Sequence, residues 1–265
     1  MVSFASIQRF CKDHYGRRCF IADRTILLHA EAYQAVTDLA SRFGQFVDCW
    51  INDPPYGTTA NSWDVVIPFE EYWFLANLVT KAKTPILVFG SQPFTSALLL
   101  SAQSWHRYCL VWDKNKCGSP GLAKHRPMKV HEDIVVFSRK PHRYYPIMLE
   151  GEPYVRDKTE SKSGAGKRLN NHKYGLKAKN IVNNGTRYPT SILRFPRNFS
   201  AQQQIHPTQK PTTLLEWMIE SYTRPNEIVL DITSGSSSIG VAAWTLNQPC
   251  ICIEKERKYF RTGKA

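Results

Sequence analysis

From Ile26 onward the chain alternates short apolar runs with stretches of helical period. A chain patterned this way predicts an α/β sheet covered by helices on both faces. Ile26 to His29 reads as a strand, and Glu31 to Arg42 as a helix with Tyr33, Val36, Leu39 and Ala40 on one side. Phe46 to Ile51 reads as a second strand. It must stop at Asn52-Asp53-Pro54-Pro55, because proline cannot donate to a sheet ladder. A helix follows over Phe69 to Lys81, a buried strand over Pro85 to Phe89, and a helix from about Pro93 to Ala102. Tyr108 to Trp112 and Asp133 to Phe137 are further strands. The C-terminal part adds a helix over Thr212 to Tyr222, a strand over Glu227 to Ile232, a helix over Ser238 to Leu246 and a strand over Cys250 to Ile253. There are no internal repeats, and 265 residues suit a single domain, 1–265, with one core.

One stretch breaks the pattern. Gly151 to Tyr188 is polar, basic and rich in Gly, Asn, Ser and Lys, and it reads as a long loop or small insertion. The chain carries a formal charge of +13, which suits a polyanionic partner. Twelve Lys or Arg against three acids give a net +9 between Gly151 and Lys210, so most of the excess lies there. The longest apolar runs, such as Ile86 to Phe89 and Ile134 to Phe137, have strand length and exclude a membrane-spanning helix. No apolar run follows the N-terminal basic residues, so no signal peptide is expected. Seven cysteines without C-x-x-C spacing argue against a disulfide scaffold or a metal site and for a reduced, cytoplasmic setting.

Three segments carry candidate chemistry. Asp53-Pro54-Pro55-Tyr56 follows a buried strand directly, where sites form in open α/β sheets. A carboxylate there can accept a proton or a hydrogen bond, the prolines leave carbonyls facing outward, and the Tyr56 ring offers a face for stacking. The same residues also suit a rigid strand-to-loop turn. His206-Pro207-Thr208-Gln209-Lys210-Pro211 precedes a helix and equally suits a proline-bounded helix entry. Asp231-Ile232-Thr233-Ser234-Gly235-Ser236-Ser237-Ser238-Ile239-Gly240 joins a strand to a helix. Small residues there admit a ligand to the backbone and the helix start attracts a negative group, though a tight turn has the same composition. The next strand ends at Glu254, where dinucleotide folds place a ribose-binding acid. Lys162-Ser163-Gly164-Ala165-Gly166-Lys167 lacks the spacing and context of a phosphate-binding loop.

Together these segments resemble the β-class of DNA amino-methyltransferases, in which the catalytic half precedes the cofactor loop. The likeness extends through Gly57-Thr58-Thr59, Trp63-Asp64, His131-Glu132-Asp133-Ile134 and Arg187-Tyr188-Pro189-Thr190-Ser191-Ile192, from about Ile26 to Phe260. It implies a Rossmann-like methyltransferase fold with a mostly parallel seven-stranded sheet, S-adenosylmethionine as cofactor and double-stranded DNA as partner. Many such proteins dimerise, so a homodimer is admitted. The catalytic residues it implies are Asp53, Pro54, Pro55 and Tyr56. Asp53 and the Pro54 carbonyl would accept hydrogen bonds from an amino group, and Tyr56 would stack on a flipped base. No covalent intermediate and no catalytic cysteine are needed. The implied cofactor residues are Asp231, Thr233, Gly235 and Ser236 in the loop, and Glu254 for the ribose hydroxyls. Thr208 and Lys210 would hold the methionine carboxylate, with Glu31 and Ala32 near the adenine. Asp at position 53 favours N6 of adenine over N4 of cytosine. The basic insertion, about 151–198, would recognise the target, with Lys167, Arg168, Lys173, Lys177, Lys179 and Arg187 binding DNA, mainly its phosphates.

The cofactor loop departs from the family's Asp-Pro-Phe-x-Gly-Ser-Gly-Thr-Thr. Ile232 replaces the proline, Thr233 the phenylalanine, and Ser237 the second glycine, while Ser238 and Ile239 replace the threonines. If that second glycine has positive φ, a serine there costs on the order of 1 kcal/mol or more. The departure leaves open a relative that binds DNA without catalysis, beside cytosine N4 as an alternative target.

Overall fold

The computed structural model describes residues 2–58, 64–117, 121, 123–156, 181–196 and 209–264. The chain divides into two units, 1–145 with 191–265, and 146–190.

The first unit is built on a sheet of nine strands among the described residues, ordered β1-β2-β13-β12-β3-β4-β6-β5-β11. Its strands are β1 (Cys19–Ala22), β2 (Thr25–His29), β3 (Cys49–Asn52), β4 (Ile86–Gly90), β5 (His106–Asp113), β6 (His131–Phe137), β11 (Ile192–Arg194), β12 (Val229–Asp231) and β13 (Cys250–Glu254). The seven strands expected become nine because β1 and β11 join the two edges. β2, β13, β12, β3 and β4 run parallel, and β6 lies antiparallel to both β4 and β5. β12 and β13, late in the chain, occupy the middle of the sheet between β2 and β3.

Alternation along the strands explains the layers. Ile26, Leu28, Trp50, Ile86, Val88, Ile251 and Ile253 join one cluster with α1 (Phe4–Tyr15), α2 (Ala32–Phe43), α3 (Phe69–Val79) and α4 (Phe94–Ser101). Cys250 and Cys252 alternate with Ile251 and Ile253 and lie outside that cluster. Gly240 of α6 (Ser238–Thr245) approaches Cys252, where an added Cβ would sit 3.1 Å from its Sγ. α5 (Thr212–Tyr222) packs on α6, and α7 (Arg257–Thr262) closes the chain beside β2 and β13. α1 was not expected. It carries Ile7, Cys11 and Tyr15 at four-residue spacing into the core, and the Ser3 hydroxyl accepts from the Ser6 amide to cap it.

The second unit, where a long loop or small insertion was expected, holds two small antiparallel pairs. β7 (Leu149–Glu150) pairs with β10 (Thr186–Arg187), and β8 (Tyr154–Arg156) with β9 (Ile181–Asn183). Among the described residues no helix is long and apolar enough to cross a membrane.

Candidate active site

Parallel pairing sends the C-terminal ends of β2, β13, β12, β3 and β4 to one sheet edge, where backbone groups leave the ladder and side chains converge. Because β12 lies beside β3, the ends of these strands bring Asn52 to Asp231, and Asn52 Nδ2 donates to Asp231 Oδ1 at 2.9 Å. A cavity of about 280 Å3 opens along this edge. Eight carboxylates line it, those of Glu31, Asp53, Asp64, Glu71, Glu132, Asp231, Glu254 and Glu256, against the cations Lys210 and Lys255.

Asp53 is the hub of one end. Tyr56 Oη donates to its Oδ1 at 2.7 Å, and Lys210 Nζ donates to its Oδ2 at 2.5 Å. The same ammonium is 3.4 Å from Glu132 Oε2, while Lys114 Nζ donates to Glu132 Oε1 at 3.1 Å. Asp53, Lys210, Glu132 and Lys114 thus form an alternating chain of charge. Lys210 is 6% exposed, with the rings of Phe89 and Trp112 4.9 and 6.0 Å from its ammonium. Burial pulls the Lys210 pKa down, but the Asp53 and Glu132 carboxylates outweigh it and hold it above its ordinary value. Burial pushes Glu132 up, and Lys210 and Lys114 bring it below the usual carboxylate range. Tyr56 is raised well above its usual value by burial and then by Asp53, so its hydroxyl stays a donor. Its ring stacks on Phe94 at 5.2 Å between centroids. The following turn is clamped by Asp64, whose Oδ1 and Oδ2 accept from the Gly57 and Thr58 amides.

The other end is the turn between β12 and α6. Asp231 Oδ1 accepts from the Thr233 amide as well as from Asn52, and the Thr233 hydroxyl donates to the Asp53 carbonyl at 3.1 Å. Glu254 accepts from the Gly235 amide with Oε2 and from the Glu256 amide with Oε1, both at 2.7 Å. Burial pushes Asp231 up to about 7, against the hydrogen bonds from Thr233 and Asn52, and Glu254 likewise to about 7. A raised carboxylate in the folded state stabilises most below its unfolded value of 3.8 and loses that contribution as pH rises to about 7. Asp231→Asn keeps an Oδ1 for both donors and removes the charge. The variant is expected to show a flatter stability profile from pH 5 to 8 and to gain, at pH 8, up to about 4 kcal/mol. Denaturant melts at each pH check this; superimposable profiles for variant and parent would refute it.

Ser237 sits at the start of α6 with φ +62 and ψ +35, the left-handed region. Its hydroxyl is buried without a hydrogen-bond partner. A Cβ on Gly263 would come 2.6 Å from the Ser237 Oγ, so a glycine in the closing turn makes room for the serine. Ser237→Gly relieves both the backbone strain and the orphaned hydroxyl. It is expected to stabilise by about 1 kcal/mol, or about 2–4 °C in Tm. A fall in Tm on calorimetry would show that the packing of the serine outweighs its strain.

The structure brings Asp53, Pro54, Pro55, Tyr56, Glu31, Ala32, Lys210, Asp231, Thr233, Gly235, Ser236 and Glu254 to this one cavity. Lys210 is placed on Asp53 and Glu132. Arg187 belongs to the second unit, where its guanidinium donates to the Asn183 side chain and the Glu152 carbonyl and covers the Tyr154 ring at 4.7 Å. Thr208, Lys167, Arg168, Lys173, Lys177 and Lys179 lie outside the described residues, as does the Lys162 to Lys167 stretch. In the sequence Asn52 reads only as the end of a strand and Glu132 only as a member of the His131 to Ile134 segment, with no site role for either. Asn52 is a polar residue closing an apolar strand. Glu132 is the second residue of one, and its ion-pair partner Lys210 is remote in sequence.

A family model described as DNA methylase matches residues 47–265. The type II methyltransferase M2.LlaDCHI of Lactococcus lactis subsp. cremoris is 25% identical over 271 residues, 91% of this chain and 88% of that protein. The putative methylase YubD of Escherichia coli K12 is 49% identical over 59 residues, a match that spans 22% of this chain and 26% of YubD. Among solved structures, a complex of M1.HpyAVI with SAM superposes with a TM-score of 0.59 at 23% identity, over 90% of this chain and 97% of that one.

Proposed function

The chain belongs to the N6/N4 DNA methylase family, and from that premise we propose that it methylates N6 of adenine in double-stranded DNA with S-adenosylmethionine. The observation that carries this reading is Asp53, held between Tyr56 and Lys210 in an acid-lined cavity that it shares with the Asp231–Gly235 turn and Glu254. The residues present suit the cofactor. Carboxylates in excess favour a ligand bearing a sulfonium and an ammonium, and the buried apolar side chains of Ile232 and Ile239 suit its nucleoside. M1.HpyAVI, of the same fold, was solved with SAM. We assign Glu254 to the ribose hydroxyls, Asp231, Gly235 and Ser236 to the turn that cradles the cofactor, and Glu31 and Ala32 to the adenine side. Lys210 is already engaged by two carboxylates, so we assign it to orienting Asp53.

S-adenosylmethionine supplies an electrophilic methyl group on its sulfonium. The exocyclic nitrogen of adenine is a poor nucleophile, because its lone pair is delocalised into the ring. A fixed carboxylate that accepts one amino hydrogen draws the lone pair back onto the nitrogen. Each Asp53 oxygen keeps a second lone pair beyond the bonds to Tyr56 and Lys210, so the carboxylate can still accept it. The Pro54 carbonyl takes the other amino hydrogen. Tyr56, braced by Phe94, provides a stacking surface for a base that leaves the duplex at a cost of a few kcal/mol. When the nitrogen gains its methyl it sheds one proton, and Asp53 is the acceptor already hydrogen-bonded to it. Holding base and donor together removes much of the entropic barrier.

The test is transfer of labelled methyl to unmethylated duplex DNA, followed by digestion to nucleosides. N6-methyladenine is expected. N4-methylcytosine would retain the mechanism and move the target within the family. No transfer, with no cofactor binding by the folded protein, would leave a DNA-binding relative without catalysis.

A further inference from the structure

The acid-lined cavity creates an electrostatic problem for its own substrate. It suits a cationic cofactor and a neutral base, but it repels the phosphates on either side of that base. Cations must therefore stand at the rim, and one connection at this edge supplies them.

β5 ends at Asp113 opposite His131, where β6 begins, and Asp133 lies opposite Gly90 at the C-terminal end of β4. The β5–β6 connection, 114–130, therefore leaves the sheet at the cavity edge. From Lys114 to His131 it carries five Lys or Arg, two His and no acid. Its two ends are rooted at the site. Lys114 binds the cavity-lining Glu132, and Lys129 Nζ donates to Ser91 Oγ at 2.6 Å, just past β4. Between these roots Lys116, Lys124 and Arg126 are exposed, and none has a hydrogen-bond or ion-pair partner among the described residues. Several cations at the opposite sheet edge are instead partnered within the fold. Lys81 pairs with Asp48, Arg143 with Glu227, and Arg139 donates to Asn77 and the Thr80 carbonyl. A run of like charge without internal counter-ions is relieved by an external polyanion.

We propose that Lys116, Lys124 and Arg126 of the β5–β6 connection form a second DNA-binding surface, gripping the phosphodiester backbone beside the cavity while the cavity holds the base. This rests on the reading of DNA as substrate. The surface positions the duplex without reading its sequence. Neutralising three phosphate contacts should lower the salt dependence of DNA binding by about 2–3 in the log–log slope.

The experiment compares the full-length protein with a Lys116→Ala, Lys124→Ala, Arg126→Ala variant and with an Arg42→Ala, Lys83→Ala, Lys140→Ala control at the opposite edge. Binding of a fluorescent duplex is followed by anisotropy from about 50 to 300 mM salt, with cofactor affinity and thermal melting measured on the same samples. In the first variant the DNA Kd is expected to rise about tenfold or more and the slope to fall by about 2–3, with cofactor affinity unchanged and the control like the parent. A parental slope and Kd in the first variant, or an equal loss in the control, would overturn the inference. Should the parent neither bind nor methylate duplex DNA, the functional reading itself fails, and the parent's own curve shows this apart from the variants.

Discussion

Asp53→Ala is expected to lower kcat for methyl transfer by about 10^3-fold or more, while DNA affinity stays within about threefold of the parent. The size follows from what is removed. One fixed acceptor aimed at the charge that develops on the nucleophile is worth on the order of 10^2–10^3 in rate, and in the proposed mechanism Asp53 also takes the proton. Tyr56 loses its hydrogen-bond partner and Lys210 loses one of its two carboxylates, keeping Glu132. The fold should therefore survive with moderate loss of stability. Single-turnover transfer at saturating DNA and cofactor separates chemistry from binding. Asp53→Asn adds a discriminating case. It preserves shape and an oxygen for Tyr56, but it turns a donor toward the Lys210 ammonium. If either variant kept kcat within tenfold of the parent, the catalytic assignment of Asp53 would not stand.

Lys210→Met is expected to destabilise the protein by about 3–5 kcal/mol near neutral pH, the cost typical of removing one partner from a buried ion pair. Its buried ammonium lies between Asp53 and Glu132 at 2.5 and 3.4 Å. Methionine fills much of the volume but supplies no charge, so two carboxylates face each other with only Lys114 near Glu132. The pH dependence should invert. In the parent, the depressed pKa of Glu132 contributes stability above about 4.5, its unfolded value, and that contribution is lost as pH falls through the folded one. In the variant the unpaired carboxylates gain by protonation, so the deficit should shrink as pH is lowered toward 5. Urea midpoints at pH 5 and 8 test this. A deficit that is small, or equal at both values, would mean that the cation is dispensable to the charge chain.

Elements with strong period and clean boundaries were legible in the sequence. The β3 strand, the proline stop at Asp53-Pro54-Pro55 and the α5 helix fall where apolar alternation and punctuation place them, within a residue or three at the ends. β1 and β11 escaped because four and three residues carry no readable alternation, and Ile192 of β11 remains exposed. α1 was not expected, because the stripe of Ile7, Cys11 and Tyr15 becomes meaningful only with the rest of the core around it. The cavity members in motifs were legible one by one, but their pairing was not. The resemblance implies Lys210 as a cofactor ligand, and its place beside Asp53 emerges only once the fold closes over both. Local spacing carries no information about a contact of that range, and the same holds for Asn52 on Asp231.

The placement of β12 and β13 between β2 and β3 has a consequence for biosynthesis. While the polypeptide emerges from the ribosome, β2 and β3 have no neighbour on their facing sides, and that gap is two strands wide. It closes only after Val229 to Glu254 has been made, more than 170 residues after Asn52. Until then two apolar strand edges stand open to pairing with other chains. The late closure raises the sequence separation of the central contacts, which slows folding. A nascent chain is thus unable to hold cofactor until Glu254 has emerged, and a chaperone that shields open sheet edges should raise the yield of folded enzyme.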